Sequence, residues 1–164
     1  MLKSSWYLLF LLIPTGVYGQ SHSQSINIRV SATVQETIEL ITIESLDLRN
    51  ANRQESILTL NPVQDSGAGK MVARGTPGSE FRLDYLRQRE LTNTRGTGTL
   101  LVIYNISGNH IDEQQTSELL EQEVRDLEFN DDGEFYIWIG GIVDLSEAEP
   151  GSYEGDFTIE IEYI

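Results

Sequence analysis

The sequence contains no cysteine and only two histidines among its 164 residues. Without cysteine the chain cannot form disulfides, thiolate zinc sites, iron–sulfur clusters or a cysteine nucleophile. His22 and His110 lie far apart in the sequence, and no Gly-x-Ser-x-Gly motif accompanies them. This argues against a Ser-His-Asp triad and a histidine-based zinc site. We therefore expect a protein that is not an enzyme.

Basic residues are also scarce. The chain has 11 Lys and Arg against 26 Asp and Glu, which gives a formal net charge of -15. Such a surface repels phosphate, so we expect no nucleic-acid partner.

No apolar run in the sequence is long, and the longest lies near the N-terminus. Lys3 precedes an apolar run over residues 6–13, and Val17-Tyr18-Gly19 places short side chains, Val17 and Gly19, at positions -3 and -1 of a cleavage point before Gln20. This pattern predicts a secretory signal peptide over residues 1–19, and the run is too short for a membrane-spanning anchor, the rival interpretation. We expect residues 20–164 to form one exported domain, in the periplasm, at the cell surface or outside the cell, without a transmembrane segment.

Apolar and polar residues alternate along much of the remaining sequence. Period-2 patterns or short apolar runs bounded by Gly, Pro and Asn occur over residues 26–34, 57–60, 81–85, 100–104, 135–139 and 156–163. Several short strands separated by turn residues are typical of an all-β sandwich. One segment departs from the pattern, because Leu120, Val124 and Leu127 recur at helical spacing and Asp112 with Gln115 fits a capping box. This predicts a short helix or helical insertion near residues 112–128.

The second half of the chain carries an ordered set of turn and strand residues. The set comprises Gly140, Gly141, Pro150, Gly151, Tyr153, Gly155 and Phe157. It resembles the end of the DUF4402 family, and weaker upstream matches extend the resemblance over most of 20–164. The acidic stretch 111–134 and Arg49-Asn50 depart from the family pattern. We interpret these motif residues as structural. They suit turns, an aromatic ring at the end of the sandwich and a bend before the last strand.

The resemblance implies an exported bacterial domain with an immunoglobulin-like β-sandwich. The family is similar in plan to spore coat U and pilin-like domains, which implies a structural or adhesive surface subunit of pilin-like type. Its partners would be other copies of itself or other surface proteins, joined through sheet edges. The alternative is a calcium- or glycan-binding β-sandwich module.

We expect no cofactor, and calcium is the possible ligand that the sequence best accommodates. Ten carboxylate residues lie between positions 112 and 134 against one base, Arg125. Asp131, Asp132 and Glu134 around Gly133 offer oxygen ligands for a hard cation, although the spacing does not match an EF-hand loop. The simpler interpretation, which we favour, is a turn beside a solvated acidic face.

The first strand has two interpretations. Ile26, Ile28, Val30, Ala32 and Val34 form one apolar face. Such a strand serves equally as the first strand of its own domain or as a donor strand that completes a neighbouring subunit by β-augmentation. We favour self-completion, because only the six polar residues 20–25 remain as an additional arm.

Overall fold

The computed structural model describes residues 26–32 and 38–164, and the predicted signal peptide lies outside them. Twelve strands occur in this part of the chain: β1 (Ile26–Ala32), β2 (Glu39–Glu44), β3 (Asn52–Gln54), β4 (Ile57–Leu60), β5 (Gly69–Arg74), β6 (Glu80–Tyr85), β7 (Gln88–Asn93), β8 (Thr99–Asn109), β9 (Glu118–Leu120), β10 (Glu123–Glu128), β11 (Glu134–Asp144) and β12 (Tyr153–Tyr163). Two three-residue 3-10 helices, Leu48–Asn50 and Gln114–Thr116, complete the elements. No helix in the described residues is long and apolar enough to cross a membrane.

The strands form two layers that share β12 and β7 as a seam. In the first layer β12 lies between β1 and β6, and β10 pairs with the other edge of β6. In the second layer β8 and β11 are central, with β7 and β9 along one side and β5 and β4 along the other. β2 and β3 lie outside β5 and β4. Only β1 and β12 pair in parallel among the described strands.

The core lies between the two layers and is rich in aromatic side chains. The ring of Phe81 in β6 stacks on Phe129 with 4.3 Å between centroids and meets Phe135 of β11 edge-on at 5.2 Å. Tyr104 of β8 meets Phe157 of β12 at 4.9 Å. The Phe81–Phe135 and Tyr104–Phe157 pairs join strands of opposite layers, and all five side chains are buried. The predicted all-β sandwich is therefore confirmed.

The predicted helix near residues 112–128 is wrong. This segment holds the 3-10 helix Gln114–Thr116 and strands β9 and β10. The residue before that helix, Glu113, makes no side-chain cap, and Asp112 instead pairs with Lys70 of β5. The helix-like spacing of Val124 and Leu127 has another cause. A β-bulge between them inserts one extra residue, so both pair with β6 although they are three positions apart.

β11 is longer than the apolar run indicated. The apolar run 135–139, followed by Gly140-Gly141, predicts a strand that ends at these glycines, but β11 continues through both of them to Asp144. The strand keeps its pairing with β8 over Gly140 and Gly141, because glycine retains the main-chain donor and acceptor that the ladder needs. The glycines therefore lie inside the second layer and not in a loop.

Two buried tyrosines differ in what their hydroxyl groups contact. We expect removal of the two hydroxyl groups to change the free energy of unfolding in opposite directions. The hydroxyl of Tyr104 has no hydrogen-bond partner in the described residues, and burial raises its pKa. The hydroxyl of Tyr153 donates to the carbonyl oxygen of Glu149 at 2.8 Å. We expect Tyr104→Phe to raise the free energy of unfolding by about 1 kcal/mol and Tyr153→Phe to lower it by about 1 kcal/mol.

Urea denaturation followed by tryptophan fluorescence measures both changes under the same conditions. Each substitution removes one oxygen from a buried ring, so the two variants serve as controls for one another. A loss of stability in Tyr104→Phe equal to that in Tyr153→Phe would contradict the assignment of an unbonded hydroxyl.

Candidate functional site

A groove of about 530 Å³ opens beside Asn105 and Ile106 of β8. β8 pairs with β7 over Thr99–Ile103 and with β9 from Ile106 onward. The groove lies between these two stretches of pairing. Its other walls come from residues 59–62, 119–122, Tyr85 and Arg87. Pieces that are distant in the sequence therefore meet around one opening.

Two crossings of the chain between the layers create this gap. Residues 86–87 connect β6 of the first layer to β7 of the second, and residues 121–122 connect β9 of the second layer to β10 of the first. The main-chain amide of Tyr85 donates to the carbonyl of Gln122 at 3.2 Å. The amide of Tyr104 donates to the carbonyl of Arg87 at 2.7 Å. The first bond joins the two crossings to each other, and the second fixes the crossing at Arg87 to β8.

The opposite wall depends on a glycine in β11. A Cβ atom on Gly140 would lie 2.3 Å from the carbonyl oxygen of Leu60 and 2.8 Å from the nitrogen of Pro62. The chain leaving β4 can therefore pass this close to β11 only because Gly140 has no side chain. The Gln114 amide then donates to the carbonyl oxygens of Pro62 and Asp65, both at 2.9 Å, which fixes this wall to the 3-10 helix.

Several polar side chains at the groove have no partner within the described part of the protein. No hydrogen bond or ion pair there engages the guanidinium of Arg87 or the amides of Asn105 and Gln122. Burial raises the pKa of Tyr85, and the positive charge of Arg87 partly offsets that rise. The Tyr85 hydroxyl is therefore protonated at neutral pH and is available as a hydrogen-bond donor.

The residues predicted to bind calcium form a turn between β10 and β11. Asn130 accepts hydrogen bonds from the main-chain amides of Asp132 at 3.0 Å and Glu134 at 2.7 Å, and Gly133 has φ of 76°. Asp131 and Asp132 are exposed. Nowhere in residues 26–32 and 38–164 do three His, Asp or Glu side chains come together in a way that could hold a metal ion. Calcium binding stays a prediction that this geometry does not strengthen.

Glu134 has protein partners of its own. Its carboxylate accepts hydrogen bonds from the Tyr136 hydroxyl and from Nε of Arg74, and these two bonds lower its pKa. The hydrogen bond between the Tyr136 hydroxyl and Glu134 raises the pKa of Tyr136 to about 12. A cation at Glu134 would therefore compete with a hydrogen-bonded phenol and with an arginine.

The predicted first or donor strand lies at the edge of the first layer. Ile26, Ile28, Val30 and Ala32 belong to β1, whereas Val34 lies outside the described residues. β1 pairs in parallel with β12, with Ile26 opposite Tyr153 and Ala32 opposite Ile159. This pairing is within one chain, and an identical strand from another copy would present the same main-chain groups.

The residues of the family motif have packing roles. Tyr153 and Phe157 are buried, and a Cβ on Gly155 would lie 2.5 Å from a methyl group of Leu91. The remaining motif residues lie in β11 or in the turn before β12: Gly140, Gly141, Pro150 and Gly151. None of the seven motif residues is among those that line the groove.

No protein-family model matches the chain, and no curated protein matches it either. The resemblance to the DUF4402 family therefore stays a prediction from the sequence.

Proposed function

We propose that this chain is an exported, non-catalytic structural or adhesive subunit of a surface assembly of pilin-like type. The observation that supports the proposal most directly is the attachment of β1. In the described residues β1 pairs with β12 alone, so its other edge offers unpaired main-chain groups. An edge strand of this kind joins or exchanges between subunits by main-chain hydrogen bonds.

The two edges of the first layer differ in a way that supports this proposal. β10, at the opposite edge, has a bulge with Asp126 at φ of 64° and carries Glu123, Arg125 and Glu128. Bulges and charged side chains discourage the addition of another strand. Assembly through the first layer would therefore use the side of β12 and β1.

A second candidate function, ligand binding, is favoured by the groove at β8. Its volume lies within the range of about 300–1,000 Å³ that is usual for small-ligand sites. Of the two ligands considered from the sequence, a glycan fits this groove better than calcium, because amide, phenol and guanidinium groups line it and only one carboxylate, that of Glu121, is present.

Light scattering of the purified protein tests the assembly proposal. We expect the native mass to rise with concentration, and an excess of a peptide of residues 24–35 to reduce the assemblies to single subunits by occupying the edge of β12. The control peptide carries Ile28→Asp and Val30→Asp, which interrupt the apolar face. A monomer at every concentration, indifferent to both peptides, would refute strand exchange.

A further inference from the structure

We propose that the groove beside Asn105 is a binding site for an uncharged saccharide. The proposal deepens the second candidate function and does not depend on the exchange of β1. The walls of the groove are formed by residues 59–62, 119–122, Tyr85 and Arg87.

The polar lining of the groove suits a ligand with many hydroxyl groups. Arg87 offers only donors, whereas Asn105 and Gln122 each offer a donor and an acceptor. The structure gives none of these three side chains a partner among the described residues. Asn105 is also half-buried, and its amide, which has no hydrogen-bond partner in the described residues, is open to solvent and to a ligand in the groove. Hydroxyl groups both donate and accept, and they satisfy all three side chains together.

The apolar part of the lining suits the C–H face of a sugar ring. Leu119 is 67% exposed, which is the largest exposed fraction among the exposed large apolar side chains of the described residues. Pro62 and Leu120 also line the groove, with Leu120 half-buried. A ligand that covers Leu119 while its hydroxyl groups reach Arg87 and Asn105 removes apolar surface from water without leaving its polar groups unpaired.

Charge separates a neutral saccharide from other ligand classes. The protein has a formal net charge of -15, which repels phosphates and acidic sugars. One cation, Arg87, and one carboxylate, Glu121, line the groove, so the lining itself has no net charge that would overcome this repulsion. A lipid chain would leave the arginine and the amides without hydrogen bonds, at a cost in free energy.

Calorimetric titration of the purified protein with a panel of saccharides tests the proposal. The panel contains neutral oligosaccharides of glucose, galactose, mannose and N-acetylglucosamine, and matched oligosaccharides that contain uronic acid. We expect at least one neutral oligosaccharide to bind, and Arg87→Ala to weaken that binding at least about tenfold through loss of charged hydrogen bonds. The matched control is Arg95→Ala, which removes an exposed arginine outside the groove and should leave binding within about twofold, because no hydrogen bond to the ligand is lost.

A second pair of variants tests the apolar wall without changing any charge. We expect Leu119→Ala to weaken binding about threefold or more, and Leu101→Ala, which shortens a half-exposed leucine outside the groove, to have no effect. Absence of binding across the neutral panel, binding of acidic sugars alone, or equal affinity in Arg87→Ala and Arg95→Ala would each overturn the proposal. The native mass, measured on the same samples, reports on assembly independently, so failure of one proposal is distinguishable from failure of the other.

Discussion

Replacing Phe81 with alanine is expected to lower the free energy of unfolding by about 3–5 kcal/mol. Phe81 is fully buried, and its ring contacts Phe129 and Phe135 at the place where β6 faces β11. Removal of the ring leaves a cavity between the layers and breaks two aromatic pairs. Domains of this size are stable by only about 5–15 kcal/mol, so the variant should unfold at a much lower urea concentration.

The conservative variant Phe81→Leu is the control for the cavity that alanine leaves. It keeps most of the apolar volume, and we expect a loss of less than about 1.5 kcal/mol. Urea denaturation with tryptophan fluorescence measures both variants. A loss of under about 1 kcal/mol in Phe81→Ala would mean that the aromatic cluster is not the centre of this core.

Gly140→Ala is expected to destabilise the protein by about 2–3 kcal/mol, although alanine ordinarily suits a strand better than glycine does. The added methyl group would lie 2.3 Å from the carbonyl oxygen of Leu60 and 2.8 Å from the nitrogen of Pro62. Both neighbours are main-chain atoms, so relief requires the whole segment after β4 to move. The wall of the groove would move with it.

The neighbouring glycine provides a matched control. A Cβ on Gly141 would lie no closer than 3.0 Å to the carbonyl oxygen of Ile103, and we expect Gly141→Ala to cost less than half as much as Gly140→Ala. Thermal unfolding followed by circular dichroism compares the two variants. Equal losses would show that the crossing after β4 is not what requires glycine at position 140.

Strands with one buried face could be predicted from the sequence because the pattern of side chains records which face is buried. In β6, Phe81, Leu83 and Tyr85 are buried and the residues between them are exposed. In β12, Phe157, Ile159 and Ile161 are buried in the same alternating manner. Local alternation is sufficient for such strands, since neighbouring side chains point to opposite faces.

The strands of residues 112–128 could not be predicted in this way, because the spacing of their apolar residues has two separate causes, a change of layer and a bulge. Leu120 lies in β9 and pairs with Ile106 in the second layer, whereas Val124 and Leu127 lie in β10 of the first layer. A change of layer followed by a bulge reproduces the spacing of one helical face. Only the partner strands distinguish the two, and they are distant in the sequence.

The groove could not be predicted for a related reason, although one signal was present. Its walls come from four separate parts of the chain, and no local motif unites them. Arg87 and Arg89, however, occupy the positions at which the alternation that buries Tyr85 and Leu91 would place apolar residues. Arginine at an otherwise inward-facing position indicates a break in the core. Here the chain passes from β6 in the first layer to β7 in the second.

The parallel pairing of β1 with β12 also determines the order in which the protein can fold. β1 is synthesised first among the described strands, but its partner is synthesised last. Contacts between distant segments form slowly, because the intervening chain must be closed into a loop before they contribute free energy. We therefore expect the edge of β12 to stay open until late in folding, and in that interval an identical strand from another molecule would present the same main-chain groups as β1.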